Sequence, residues 1–129
     1  MNKALNPKSV HAPVGVYSHT VGVAPGARWV AVAGQVGMNA KGVLAKGIRR
    51  QAEQAFRNVL GCLRENGMRK QDLVKLTVFL TDSRFIAEYR AARARVLGDA
   101  VRPAATLLIV AGLASPDMLI EIEAWAAKG

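Results

Sequence analysis

Two carboxylates one residue apart, Glu121 and Glu123, stand in the run Ile120-Glu121-Ile122-Glu123-Ala124. Alternation of acid with β-branched isoleucine predicts a strand, and residues i and i+2 of a strand point to one face. Whatever lies on that face receives both acids, about 7 Å apart. A carboxylate held at a cleft can orient a water molecule or carry a proton. The other reactive side chains form no comparable arrangement. Cys62, the single cysteine, lies near the apolar stripe of a helical segment, as a small core or boundary residue does. His11 and His19 show no metal-ligand spacing, so no metal site is expected. Ser18 and Ser115 have no histidine or acid at a spacing that would activate a hydroxyl, and no phosphate-binding glycine loop is present.

The elements that must position these residues follow from periodicity. Val14 to Val23 alternates loosely, Ala24-Pro25-Gly26 turns the chain, and Trp29 to Val36 reads as a second strand, so these two are expected to form a hairpin. Asn39 to Gly42 is a further turn and Val43 to Ala45 a short edge strand. From Ile48 the period changes: Ile48, Ala52, Ala55, Phe56, Val59, Leu60 and Leu63 recur at spacings of three and four, an amphipathic helix closed by Asn66-Gly67. Leu73 to Leu80 is a strand. Thr81-Asp82-Ser83 offers an N-cap to a second helix, whose stripe is Phe85, Tyr89, Ala92 and Val96 and which ends at Gly98. Ala105 to Ala111 and Met118 to Ala126 complete the chain as two strands joined by a short turn.

The order β-β-(β)-α-β-α-β-β predicts an α+β fold, a mixed sheet of about six strands with two helices on one face. The runs Trp29 to Ala33 and Leu107 to Val110 are apolar at every position, whereas a sheet with one wet face should alternate. Two helices cover one face only, so self-association is expected to dry the other.

Size and composition bound the function. A chain of 129 residues with 51% hydrophobic and 21% charged residues suits one folded domain spanning 1–129. One cysteine allows no internal disulfide, which fits a reducing cytosol, and no segment has the ~18 apolar residues needed to cross a bilayer. A cytoplasmic protein is expected. The net charge of +9 is compatible with a solvated basic surface, with anionic small ligands or with nucleic acid. Aromatic residues make up only 5%, which leaves few platforms for stacking bases.

Four blocks carry a resemblance to a known family. Val14-Gly15-Val16-Tyr17-Ser18 resembles the family's GPYSQ segment, and Val32-Ala33-Gly34-Gln35-Val36 its VSGQI strand. Val74 to Asp82 is similar to its VVKTTVFLTD strand, and Ile120 to Ala124 reproduces its IEIEA ending. The blocks occur in family order from Pro13 to Ala127, and the family is RidA/YjgF, the reactive-intermediate deaminases. The resemblance implies a chorismate-mutase-like α+β fold, assembled as a homotrimeric barrel with ligand clefts between subunits. It also implies hydrolysis of reactive enamines and imines to keto compounds and ammonia, with no cofactor and with a small carbonyl, imine or carboxylate ligand as partner.

The resemblance assigns roles to particular residues. Glu121 matches the glutamate that orients the attacking water; the alternative is a structural glutamate. Glu123 is read as a solvent or interface residue. Tyr17 matches a tyrosine at the cleft edge, or else is a packed strand residue. Gly34 matches a glycine whose backbone approaches the ligand, or else marks a bulge. The backbone N–H of Leu107 matches a donor to the ligand carboxylate. In active deaminases an arginine in the PARS segment clamps that carboxylate; here the segment is Pro103-Ala104-Ala105-Thr106, with Ala105 in the arginine's place. Strand parity sends Arg102 elsewhere, while Arg90 or Arg93 of the second helix are alternatives. Ordinary 2-imino-acid activity is therefore in question. The alternatives are a trimer that binds a metabolite or partner without chemistry, and an RNA-binding or endoribonuclease-like protein.

Overall fold

In the computed structural model, which describes residues 1–129, the helical period found from Ile48 onward becomes α1, Ile48–Glu65. Its stripe of Ala52, Ala55, Phe56, Val59 and Leu63 is buried, and Gly67 takes the left-handed backbone (φ 69°) that turns the chain away. The second helix, α2 (Ile86–Val96), begins after a 3-10 turn over Ser83–Phe85. Asp82 caps that turn by accepting from the Arg84 N–H at 2.8 Å. The strands are β1 (Lys3–Leu5), β2 (Thr20–Gly22), β3 (Arg28–Val36), β4 (Leu73–Leu80), β5 (Ala104–Ile109) and β6 (Ile120–Lys128).

Four of them form one sheet in the order β3-β6-β4-β5. β4 and β5 are parallel, and both β3 and β4 run antiparallel to β6. Thus β3, β4 and β5 share one direction and are linked through α1 and α2, while β6 fills the gap between β3 and β4. Right-handed crossovers that advance in the same direction place both helices on the same face. The core lies between that face and the helices: Leu76, Val78, Leu80, Ile120 and Ile122 meet Ala52, Phe56, Val59 and Leu63. The other face of the sheet carries no layer.

Several expectations need correction. The hairpin between the segments 14–23 and 29–36 does not form: β2 pairs with β1, near the N-terminus, in a separate two-stranded sheet. Alternation marks a strand but does not name its partner. The six strands are therefore divided four and two rather than joined in one sheet. The last two strands are not joined by a short turn; β4 lies between them, and residues 110–119 cross its end. Val43 to Ala45 is reduced to a single bridge between Met38 and Leu44. No helix is long and apolar enough to cross a membrane.

Apolar outer positions are left uncovered. Trp29 is 50% exposed and Trp125 47%, and their rings meet edge to face at 6.3 Å between centroids. Ala31 and Ala33 of β3 are exposed beside them.

Candidate functional site

The four-stranded sheet separates the candidate residues into two groups. The first lies on the helix side of β5. In the parallel register Ala105 stands opposite Leu76 and Leu107 opposite Val78, which puts both on the face that packs against the helices. Between β5, α2 and the loop holding Tyr17 lies a cavity of about 380 Å³. The loop is pinned there by a backbone bond from Ser18 N–H to the Pro103 carbonyl at 3.2 Å. Tyr17 Oη accepts from the Val14 N–H at 3.3 Å, which leaves its own hydroxyl hydrogen free to donate.

β5 is an edge strand, so alternate backbone groups face outward. Val110 N–H bonds to Leu80 O at 2.8 Å. By the two-residue alternation, the Leu107 N–H, three positions earlier, points to the free edge. A donor therefore stands beside Ala105 with no strand partner.

The second group is Gly34 with Glu121, on the open face. Glu121 pairs with Val36 on one side and Phe79 on the other, and it is half-buried. Its carboxylate makes neither an ion pair nor a hydrogen bond within the chain. The β3–β6 register shifts between Val32 and Gln35, so Ala33-Gly34 forms a bulge. A Cβ at Gly34 would lie 2.8 Å from the Glu121 carboxyl carbon, well inside van der Waals contact. The bulge reading of Gly34 is what the register shows, and the bulge brings a bare backbone up to the glutamate. Glu123 shares the open face, opposite Thr77.

The structure joins Tyr17, Ala105 and Leu107, joins Gly34 and Glu121, and holds the two groups apart. Glu121 and Leu107 sit two strands apart, about 10 Å, on opposite faces of the sheet.

The arginines divide as well. Arg102 turns away from the cavity and donates from Nε to the Asp99 carbonyl at 2.9 Å. Arg93 is 5% exposed and donates to the carbonyls of Gly98 (3.3 Å) and Val101. It therefore braces the turn that leads into β5. Burial lowers its pKa below the ordinary guanidinium range, with the Asp99 carboxylate among the groups opposing that shift. Arg90 lines the same cavity and is exposed, and no ion pair engages it.

Tyr89 acquires a role beyond the helix stripe in which its spacing placed it. It is 6% exposed, stacks on Phe56 at 5.8 Å, and also lines the cavity. Burial pushes its pKa up to about 12, which keeps the phenol protonated at neutral pH. Helical spacing predicts that a residue faces inward but not that a cavity waits there.

Comparison with known proteins gives a consistent picture. A family model described as Endoribonuclease L-PSP matches residues 8–128. A RutC family protein of Pyrococcus horikoshii is 31% identical over 99% of both chains. A RutC family protein of Aquifex aeolicus is 36% identical over 64% of this chain, which spans 63% of that protein. Among solved structures, YyfB of Yersinia pestis, described as a conserved Rid family protein of unknown function, superposes with a TM-score of 0.87 at 30% identity over 98% of each chain. The YjgF gene product of E. coli superposes with a TM-score of 0.74 at 29% identity over 98% of this chain and 99% of that one.

Proposed function

The chain belongs to the RidA/YjgF family, and from that premise we propose that it hydrolyses small enamines or imines to carbonyl compounds and ammonia. The reaction takes place in a cleft completed between the subunits of a homotrimer with the family's chorismate-mutase-like barrel. Its preferred substrate is not the ordinary 2-imino acid, because Ala105 cannot make the bidentate carboxylate bond of an arginine.

One observation carries the subunit argument. Gly34 belongs to β3 and Ala105 to β5, the two edges of the same sheet, and the groups they belong to occupy opposite faces. No single chain can offer both groups to one small molecule. When the β5 edge of one copy meets the β3 edge of the next, Tyr17, Ala105 and the Leu107 N–H of one face Gly34 and Glu121 of the other. That closure also covers the exposed apolar face.

In such a cleft the chemistry balances simply. Glu121 takes a proton from a water molecule as its oxygen bonds to the C=N carbon, giving a carbinolamine. That proton passes to nitrogen, Glu121 then takes the carbinolamine's hydroxyl proton and delivers it to the same nitrogen, and the C–N bond breaks, its electron pair leaving with ammonia while C=O forms. The Leu107 N–H and the Tyr17 hydroxyl hold the oxygen of the carbinolamine during these steps.

The test supplies enzymatically generated 2-iminopropanoate and an imine without a carboxylate in parallel, and follows ammonia release. The carboxylate-free imine turns over faster than the uncatalysed reaction, and Glu121→Gln removes about 100-fold or more of that acceleration. Ala105→Arg gains activity on 2-iminopropanoate. Absence of acceleration with both substrates would overturn the reading.

A second reading has two supports: the description of the matching family model as an endoribonuclease, and the net charge of +9. It expects salt-sensitive retention of RNA and its cleavage.

A further inference from the structure

The cavity beside Ala105 is lined chiefly by Val14, Val16, Val78, Tyr89, Ala94 and Leu107, so most of its wall is apolar. At about 380 Å³ it has room for a body larger than a three-carbon acid. Two side-chain donors in its wall enter no hydrogen bond. The first is the Tyr89 hydroxyl, on a side chain 6% exposed, which enters no hydrogen bond. No fully buried side-chain oxygen or nitrogen in the protein is left unpartnered, so this hydroxyl keeps contact with the cavity. The second is the guanidinium of Arg90, the next residue of α2. Arg93 is spent on the Gly98 and Val101 carbonyls but adds its charge. Asp99 is the one acid in the wall, so two guanidiniums against one carboxylate leave it net positive.

We propose that Tyr89 and Arg90 together anchor the carboxylate of an organic anion whose aryl or branched apolar body fills the space beside Val78, Ala105 and Leu107. The cationic anchor of this site is thus carried by helix α2, and the small side chain at Ala105 makes room for the ligand's body. This inference rests on the reading that the site takes a small ligand, and it names the class.

The test measures binding of three probes by calorimetry: phenylacetate, its neutral isostere phenylacetamide, and acetate. Phenylacetate is expected to bind about ten-fold or more tightly than either of the others. Arg90→Gln brings phenylacetate down to the affinity of phenylacetamide and leaves phenylacetamide within about two-fold, whereas Arg90→Lys keeps part of the difference. Tyr89→Phe weakens phenylacetate about five-fold or more. Arg50→Gln, on α1 and away from the cavity, changes nothing and controls for net charge. The inference is overturned if folded wild-type protein does not bind phenylacetate, binds phenylacetamide equally well, or keeps its phenylacetate affinity in Arg90→Gln. Turnover is scored separately. Imine hydrolysis without Arg90-dependent binding leaves the proposed activity and removes this inference. Arg90-dependent binding without hydrolysis does the reverse.

Discussion

Gly34 is the position where a single atom tests the site most sharply. The three atoms nearest a methyl group there all belong to the Glu121 side chain rather than to backbone, and a glutamate end can swing aside at small cost to folding. Gly34→Ala is therefore expected to shift stability by less than about 1 kcal/mol while displacing the proposed water-orienting carboxylate. Turnover of the carboxylate-free imine should fall about ten-fold or more with the thermal midpoint nearly unchanged. A fall in stability with activity per folded molecule intact would assign Gly34 to the bulge alone. Gly37 makes a useful contrast, because a Cβ there would lie 2.6 Å from Gln51 Cβ and 2.7 Å from its carbonyl oxygen. Backbone cannot swing aside, so that glycine serves the packing of the end of β3 on α1.

At the scale of elements, Gln51 ties together segments far apart in sequence. It is 2% exposed, and its Nε2 donates to the Ala45 carbonyl at 3.0 Å and the Asp117 carbonyl at 2.9 Å. Its Oε1 accepts from the Leu119 N–H at 2.9 Å. The loop 110–119, which delivers the chain from β5 to β6 and hence sets Glu121, is tied to α1 by this one amide and to β4 and the residue after it by the Val110 N–H and the Leu119 carbonyl. Gln51→Leu preserves volume but removes the partner of three part-buried backbone groups, so urea unfolding should show a loss of about 1–3 kcal/mol. A loss below about 0.5 kcal/mol would mean that water replaces the amide. Nothing in the sequence marked Gln51, since a glutamine on an apolar stripe is the same letter whether paired or idle. The elements themselves were legible where periodicity is local: the stripe of α1, the strand Leu73–Leu80 and the shared face of Glu121 and Glu123. Pairing was not legible, because β2 joins the three-residue β1 and β6 enters between β3 and β4. For the same reason the separation of Ala105 from Glu121 could not be read: it depends on β4 lying between their strands.

For the whole molecule, the uncovered face of the sheet poses the remaining question. Trp29 and Trp125, the chain's two tryptophans, stand there half-exposed and edge to face, with Leu108 of β5 39% exposed on the same face. Burying such side chains contributes about 1.5–3 kcal/mol each, enough in combination to drive association of copies that each carry +9. The proposed trimer therefore has a mass of about 41 kDa by light scattering, three times the 13.8 kDa chain. Salt screens the repulsion among like-charged copies and should favour assembly at low protein concentration, the opposite of its effect on RNA retention. Trp125→Glu places a charge in the closed face and should yield a folded monomer, its circular dichroism preserved and its remaining tryptophan emission shifted to longer wavelength. Because Glu121 and the Leu107 edge lie apart within one chain and meet only in the proposed trimer, the same substitution should abolish imine turnover although it changes neither group. A wild-type protein that sediments as a 13.8 kDa monomer at micromolar concentration and still hydrolyses imines would show instead that one chain suffices.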